Sequence, residues 1–221
     1  MTKVLKDPAS ALTHFAGCIA AMIAAVPLLI RASMQENRIY TFALGIFILS
    51  MIMLYGASTL YHSINSTEKV NKRFKKLDHM MIFVLIAGTY TPVCLIVLEP
   101  PMGYFLCALV WGIALVGILL KAFWVTCPKW FSSILYIGMG WVCLIAFRQI
   151  HAGLPTAAFN WLLCGGLLYT IGGVIYALKL PKFNAAHPNF GTHEIFHVFC
   201  LGGSFCHFML MFQYVVRMPL A

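Results

Sequence analysis

The run IYTFALGIFILSMIMLYGASTLYH, from Ile39 to His62, contains no Asp, Glu, Lys or Arg. At 1.5 Å per residue, about 20 such residues cross the hydrocarbon core of a bilayer as a helix. The apolar positions do not alternate with polar ones, which excludes a strand of a membrane barrel. This stretch therefore predicts a transmembrane helix, and its last turn carries Ser58, Tyr61 and His62 to the membrane boundary.

Six further runs of the same kind flank it: Ala11–Ile30, Met80–Leu98, Met102–Leu120, Trp130–Phe147, Ala157–Leu178 and His193–Val216. Over 221 residues, 62% are hydrophobic and only 10% charged, with a mean hydropathy of +0.88. A soluble domain could not solvate that surface, so the expected class is an all-α integral membrane protein. No linker, repeat or low-complexity stretch divides the chain. The reading is a single seven-transmembrane helix bundle over residues 1–221, with its longest loops at Ser63–His79 and Lys179–Thr192. Pro27 and Pro92 mark expected kinks, and the Gly165-Gly166, Gly172-Gly173 and Gly202-Gly203 pairs permit close helix approach. The first apolar run is long enough to span, so no cleavable signal peptide is needed.

Orientation follows from the basic residues. Lys3, Lys6, Lys69, Lys72, Arg73, Lys75, Lys76, Lys121, Lys129, Lys179 and Lys182 fall on the amino-terminal side, eleven of fifteen. Only Arg31, Arg38, Arg148 and Arg217 fall opposite. The amino terminus is expected in the cytoplasm and the carboxyl terminus outside. The net charge of +9 needs no nucleic acid partner, because it lies in loops that set topology and can meet anionic headgroups. The eight cysteines include no CxxC pair and read as small buried hydrophobes rather than thiolate ligands.

Topology then gathers polar residues from distant segments at one depth. Span two ends on the cytoplasmic side with Ser58, Tyr61 and His62. Span three begins there with Asp78 and His79. Span seven begins there with His193-Glu194-Ile195-Phe196-His197, whose two imidazoles lie one helical turn apart on one face. Ionisable groups at membrane depth are costly and are commonly paired or functional. Three imidazoles (His62, His193, His197) around Zn²⁺ leave a fourth tetrahedral position for water, as in catalytic zinc sites. Asp78 then serves as a base for that water or as an orienting acceptor, and Ser58, four residues before His62, holds the water or orients substrate. His79, adjacent to Asp78 and pointing elsewhere around the helix, is read as outside the site. His14 is assigned to packing or to supporting a ligand, His207 to a buried hydrogen bond about 15 Å deeper, and His151 and His187 to solvated positions. The acids Asp7, Glu36, Glu68 and Glu99 are read as tail or loop charges. No glycine-rich phosphate loop is present. Imidazoles without thiolates also suit Fe, Ni or Cu.

Three stretches, Ala57-Ser58-Thr59-Leu60-Tyr61-His62, Lys76-Leu77-Asp78-His79 and Ala87-Gly88-Thr89-Tyr90-Thr91-Pro92, resemble the signature of the hemolysin III family. His193 through His197, with Leu201-Gly202-Gly203-Ser204 and Cys206-His207-Phe208, is similar to that family's last helix. The likeness runs over essentially the whole chain. It implies a bacterial inner-membrane protein akin to the progestin and adipoQ receptor group, with zinc near the cytoplasmic face. By motif the ligands are His62, His193 and His197, accompanied by Ser58 and Asp78. The resemblance leaves activity open: zinc-dependent hydrolysis of a lipid amide such as a ceramide, a role in membrane-lipid homeostasis, or cytolysis by pore formation. A non-catalytic sensor, with zinc stapling helices two and seven, is a separate reading of the same residues. HExxH elsewhere marks zinc proteases. The family pattern needs only HxxxH, so Glu194 reads as incidental or as an acid at a helix N-terminus. Membrane lipid is the expected partner; oligomeric state is open.

Overall fold

A helix in lipid must satisfy its own backbone hydrogen bonds, and the apolar runs form helices, one of them interrupted. The computed structural model describes residues 5–221; Lys3, counted above for orientation, lies outside them. The helices are α1 (Pro8–Ser33), α2 (Ile39–Ser63), α3 (Glu68–Pro92), α4 (Met102–Phe123), α5 (Lys129–Gly140), α6 (Phe147–Gly153), α7 (Thr156–Leu178), a short α8 (Pro181–Ala186) and α9 (Thr192–Gln213). A π turn at Val93–Val97 prolongs α3, and a 3₁₀ stretch at Trp141–Ala146 joins α5 to α6. Seven of the resulting segments are long and apolar enough to span a membrane. Among the described residues there are no strands.

Three elements depart from the sequence reading. The third span starts at Glu68, so the basic run Lys69–Lys76 is helical and the loop before it is only 64–67. Thr67 caps this helix by accepting from the Val70 N–H at 3.4 Å. The fifth span is not one α-helix: it breaks at Gly140, and the Tyr90 hydroxyl fills the break, donating to the Gly140 carbonyl and accepting from the Cys143 N–H. Irregular backbone at membrane depth needs partners of this kind for its freed groups. Finally, Lys121 is no loop charge. It lies in the last turn of α4, fully buried, and donates to Ser132 Oγ at 2.6 Å and Cys127 Sγ at 3.0 Å.

Of the two expected kinks, Pro92 coincides with the switch from α-helix to π turn, while Pro27 sits inside α1. The α2 helix packs between α1 and α3, and α7 packs along α9. Phe47, Phe83, Leu106, Val110, Ala114, Leu210 and Met211 fill the interior, whereas Ile23, Val26, Leu115, Val116 and Leu119 face outward as a lipid-exposed apolar surface. Gly203 is needed for close approach, because a Cβ there would strike the Tyr169 ring. The starts of α1, α3, α5 and α9 and the ends of α2, α4 and α7 gather at one end of the bundle, called the basic end below.

Candidate metal centre

At the basic end, α2 contributes His62 from its last turn and α9 contributes His193 and His197 from its first two turns. One ligand atom from each of the three lies within 4.8 Å of the others. His62 Nε2 and His193 Nε2 are 3.2 Å apart. Two imidazole nitrogens bound to one tetrahedral zinc at about 2.0–2.1 Å stand about 3.3 Å apart, so this pair already has the required spacing. His62 and His197 are buried and His193 is partly so.

The neighbours determine which ring nitrogens are free. Asp7 Oδ2 accepts from His62 Nδ1 at 3.0 Å, which leaves the His62 Nε2 lone pair facing the cluster. Thr13 Oγ1 gives its single proton to the Ser10 carbonyl at 2.9 Å and so can only accept from His197 Nδ1, at 3.1 Å. The lone pair of His197 is therefore on Nε2. Carboxylate and hydroxyl acceptors of this kind fix the tautomer of metal-binding histidines and raise their basicity. The donor set thus fits a divalent cation such as zinc.

Asp7 is the main correction to the sequence reading, which left it as a tail charge. The segment before α1 is pinned to the end of α2 by the Asp7 N–H donating to the His62 carbonyl at 2.9 Å. Lys6 lies 3.7 Å from Asp7 and over the Tyr61 ring. Thr13 and Ser10 were also missed. Asp7, Ser10 and His14 fall at i, i+3 and i+7 on one face of an otherwise apolar helix, a polar stripe that was available in the sequence. His14 stacks on the His197 ring, with centroids 3.6 Å apart and planes 7° from parallel. Glu194 has the helix-terminal role expected of it: its Oε2 accepts from the Gly191 N–H at 2.9 Å, and its Oε1 accepts from Ser10 Oγ at 2.6 Å.

Ser58 and Asp78 are buried in the wall of a cavity of about 200 Å³ that also exposes His193 and His197. Both Asp78 and His79 line it. The remaining wall is apolar and aromatic and continues between α3, α5, α7 and α9 as far as Phe147, Phe159 and His207. His62 is not on this wall. It closes the cluster from the side of α1. His207 makes the buried hydrogen bond expected of it, to the Leu162 carbonyl at 3.2 Å, and His187 is exposed.

A seven-span helical membrane protein with a three-histidine cluster opening onto an apolar cavity is the class that fold and site define. The sequence profile of the family described as Haemolysin-III related matches residues 2–208. Hemolysin-3 of Bacillus cereus is 39% identical over 217 residues, covering 98% of this chain and 95% of that protein. The Hemolysin-3 homolog of Bacillus subtilis is 37% identical over 219 residues, covering 99% of each. The adiponectin receptor protein of Drosophila melanogaster is more distant, 26% identical over 216 residues, covering 89% of this chain and 48% of the receptor. The chain belongs to the haemolysin III family.

Proposed function

We propose that the chain is a zinc-dependent hydrolase acting on an amide or ester of a membrane lipid, with its site at the cytoplasmic face of a bacterial inner membrane. The observation that supports this best is one continuous wall carrying His193, His197, Asp78 and Ser58 at its polar end and apolar side chains beyond. A carbonyl can then meet the polar groups while its acyl chain lies between helices.

The chemistry a zinc ion held by His62, His193 and His197 supplies is polarisation of a carbonyl and activation of water near neutral pH. The rest belongs to the chain. Asp7 and Thr13 hold two of the imidazoles in the tautomers that present Nε2. Asp78 takes the proton of the attacking water and returns it to the departing amine or alcohol. The Ser58 hydroxyl, buried beside Asp78 on the cavity wall, orients the water or the carbonyl. The apolar wall excludes bulk water from the acyl chain.

The test begins with metal content of purified protein. About one zinc per chain, lost in His62→Ala and in His193→Ala/His197→Ala, is expected. Lipid profiles of cells expressing wild type or His197→Ala should then differ in one lipid class, with substrate depleted only by wild type. Identical profiles alongside intact zinc would favour a second reading, a sensor in which zinc staples helices. That reading draws support from the cluster joining α1 and α2 to α9, the two ends of the chain. A cytolytic pore has less behind it, because the cavity wall is apolar and carries no ring of charges.

A further inference from the structure

The sequence reads the cysteines as small buried hydrophobes, yet Cys164 is exposed on the outward side of α7, together with Leu163 and Leu167. It comes eight residues after the start of that helix at Thr156 and fourteen before its end at Leu178, so about 12 Å and about 21 Å separate it from the two ends. Its sulfur stands 3.8 Å from that of Cys206 on α9, a residue only 5% exposed. An outer thiol facing hydrocarbon thus touches an inner one across the seam between α7 and α9.

The two helices run antiparallel, and their contacts keep one register. Gly165 meets the His207 ring, Tyr169 meets Gly203 and Gly172 meets Phe199, so each step along α7 is matched by an opposite step along α9. Cys164 and Cys206 fall in this register beside the first of those pairs. The seam is also close. A Cβ on Gly165 would stand 3.1 Å from the Gly203 carbonyl, and one on Gly172 would stand 2.8 Å from Phe199 Cβ. Packed helix axes commonly stand about 8–10 Å apart, whereas a disulfide needs Cα atoms about 4.4–6.8 Å apart. A contact of backbone on backbone is where facing cysteines come within bridging reach.

We propose that Cys164 and Cys206 are a redox pair, oxidised to a disulfide by a membrane quinone. The depth of Cys164 selects the oxidant. A water-soluble disulfide reacts with a thiolate, a charge that hydrocarbon disfavours, and it does not enter the bilayer. A quinone dissolves there and takes electrons and protons together, which leaves no charge in lipid. Both S–H bonds break and one S–S bond forms. The two electrons and two protons pass to the quinone, whose two carbonyls become the hydroxyls of a quinol. Cys164 meets the quinone, and Cys206, already in contact, acts as the resolving thiol. Leu163 and Gly166 of α7 and Cys200 and His207 of α9 line the cavity, so the bridge fixes the wall that these two helices form. That consequence holds whatever the cavity binds.

Full-length protein, reduced and then placed in lipid nanodiscs with or without decylubiquinone, tests this. Intact mass after quinone should fall by about 2 Da, the two hydrogens lost as one disulfide forms. Maleimide applied after unfolding should label two fewer cysteines, and peptide mapping should place the bond between Cys164 and Cys206. Cys164→Ser and Cys206→Ser should each abolish the mass loss, and oxidised glutathione on wild type should produce none. All 8 cysteines still reactive after quinone, or a bond between any other pair, would overturn the inference. Glutathione matching quinone would overturn it too, by placing the pair within reach of water. If a serine variant does not fold, the mapped bond on wild type decides alone.

Discussion

Thr13 has one proton, and the Ser10 carbonyl takes it, so the hydroxyl can only accept from His197. The Asp7 carboxylate holds His62 in the same way. Removing either acceptor frees an imidazole to rotate or change tautomer without touching a ligand. Metal affinity in Asp7→Ala and Thr13→Val should therefore fall about 10- to 100-fold, the usual cost of losing such a partner, as read by zinc titration against a competing chelator. Unchanged affinity in Asp7→Ala would show that His62 is held by packing alone. Ser10→Ala acts differently, by taking a donor from Glu194 rather than an acceptor from a ligand. It should loosen the first turn of α9 while leaving zinc stoichiometry intact.

At the scale of elements, α1 is less a lipid anchor than a brace for the histidine cluster. Its inner face carries Ser10, Thr13 and His14 onto α9, and the segment entering it carries Asp7 onto α2. The turn from α7 to α8 shows the opposite economy. Lys179 and Leu180 both take positive φ, 57° and 26°, a conformation that costs a non-glycine residue about 1–2 kcal/mol. The turn is held there because Asn184 donates to the Lys179 carbonyl and accepts from the Thr192 N–H at 2.8 Å, which fixes where α9 begins. Lys179→Gly should raise thermal stability in detergent, by about 0.5–1 kcal/mol after the extra freedom of the unfolded glycine is counted. Asn184→Ala should lower it. At the α4–α5 corner, Lys121 is buried with Ser132 and Cys127 as its hydrogen-bond partners. In Lys121→Met the stem volume is kept and a buried charge removed, so melting should hold or rise. Lys121→Ala leaves a cavity and should cost about 2 kcal/mol or more. A large loss in Lys121→Met would mean that the ammonium itself is required.

For the whole molecule, the cluster ties the first two spans to the last. Metal removal should therefore loosen the bundle as a unit. A chelator should lower the melting temperature of wild type and leave His193→Ala/His197→Ala unchanged. At free zinc one hundred times the dissociation constant, the expected stabilisation is about 2.7 kcal/mol. Equal melting with and without chelator would separate the cluster from any structural role. The sequence by itself determined the seven spans, because a run such as Ile39–His62 has no other way to satisfy its backbone in lipid. It also brought His62, Asp78, His193 and His197 to one depth, since span direction alternates and depth is counted along the chain. It could not give rotation about each helix axis or the path of the tail. Those are set by packing, and only packing placed Asp7 on His62, turned His79 into the cavity beside Asp78, and buried Lys121. The tertiary structure also decided that the polar end opens into an apolar cavity reaching His207, because a cavity is a property of how helices miss one another, which periodicity along any single helix does not encode.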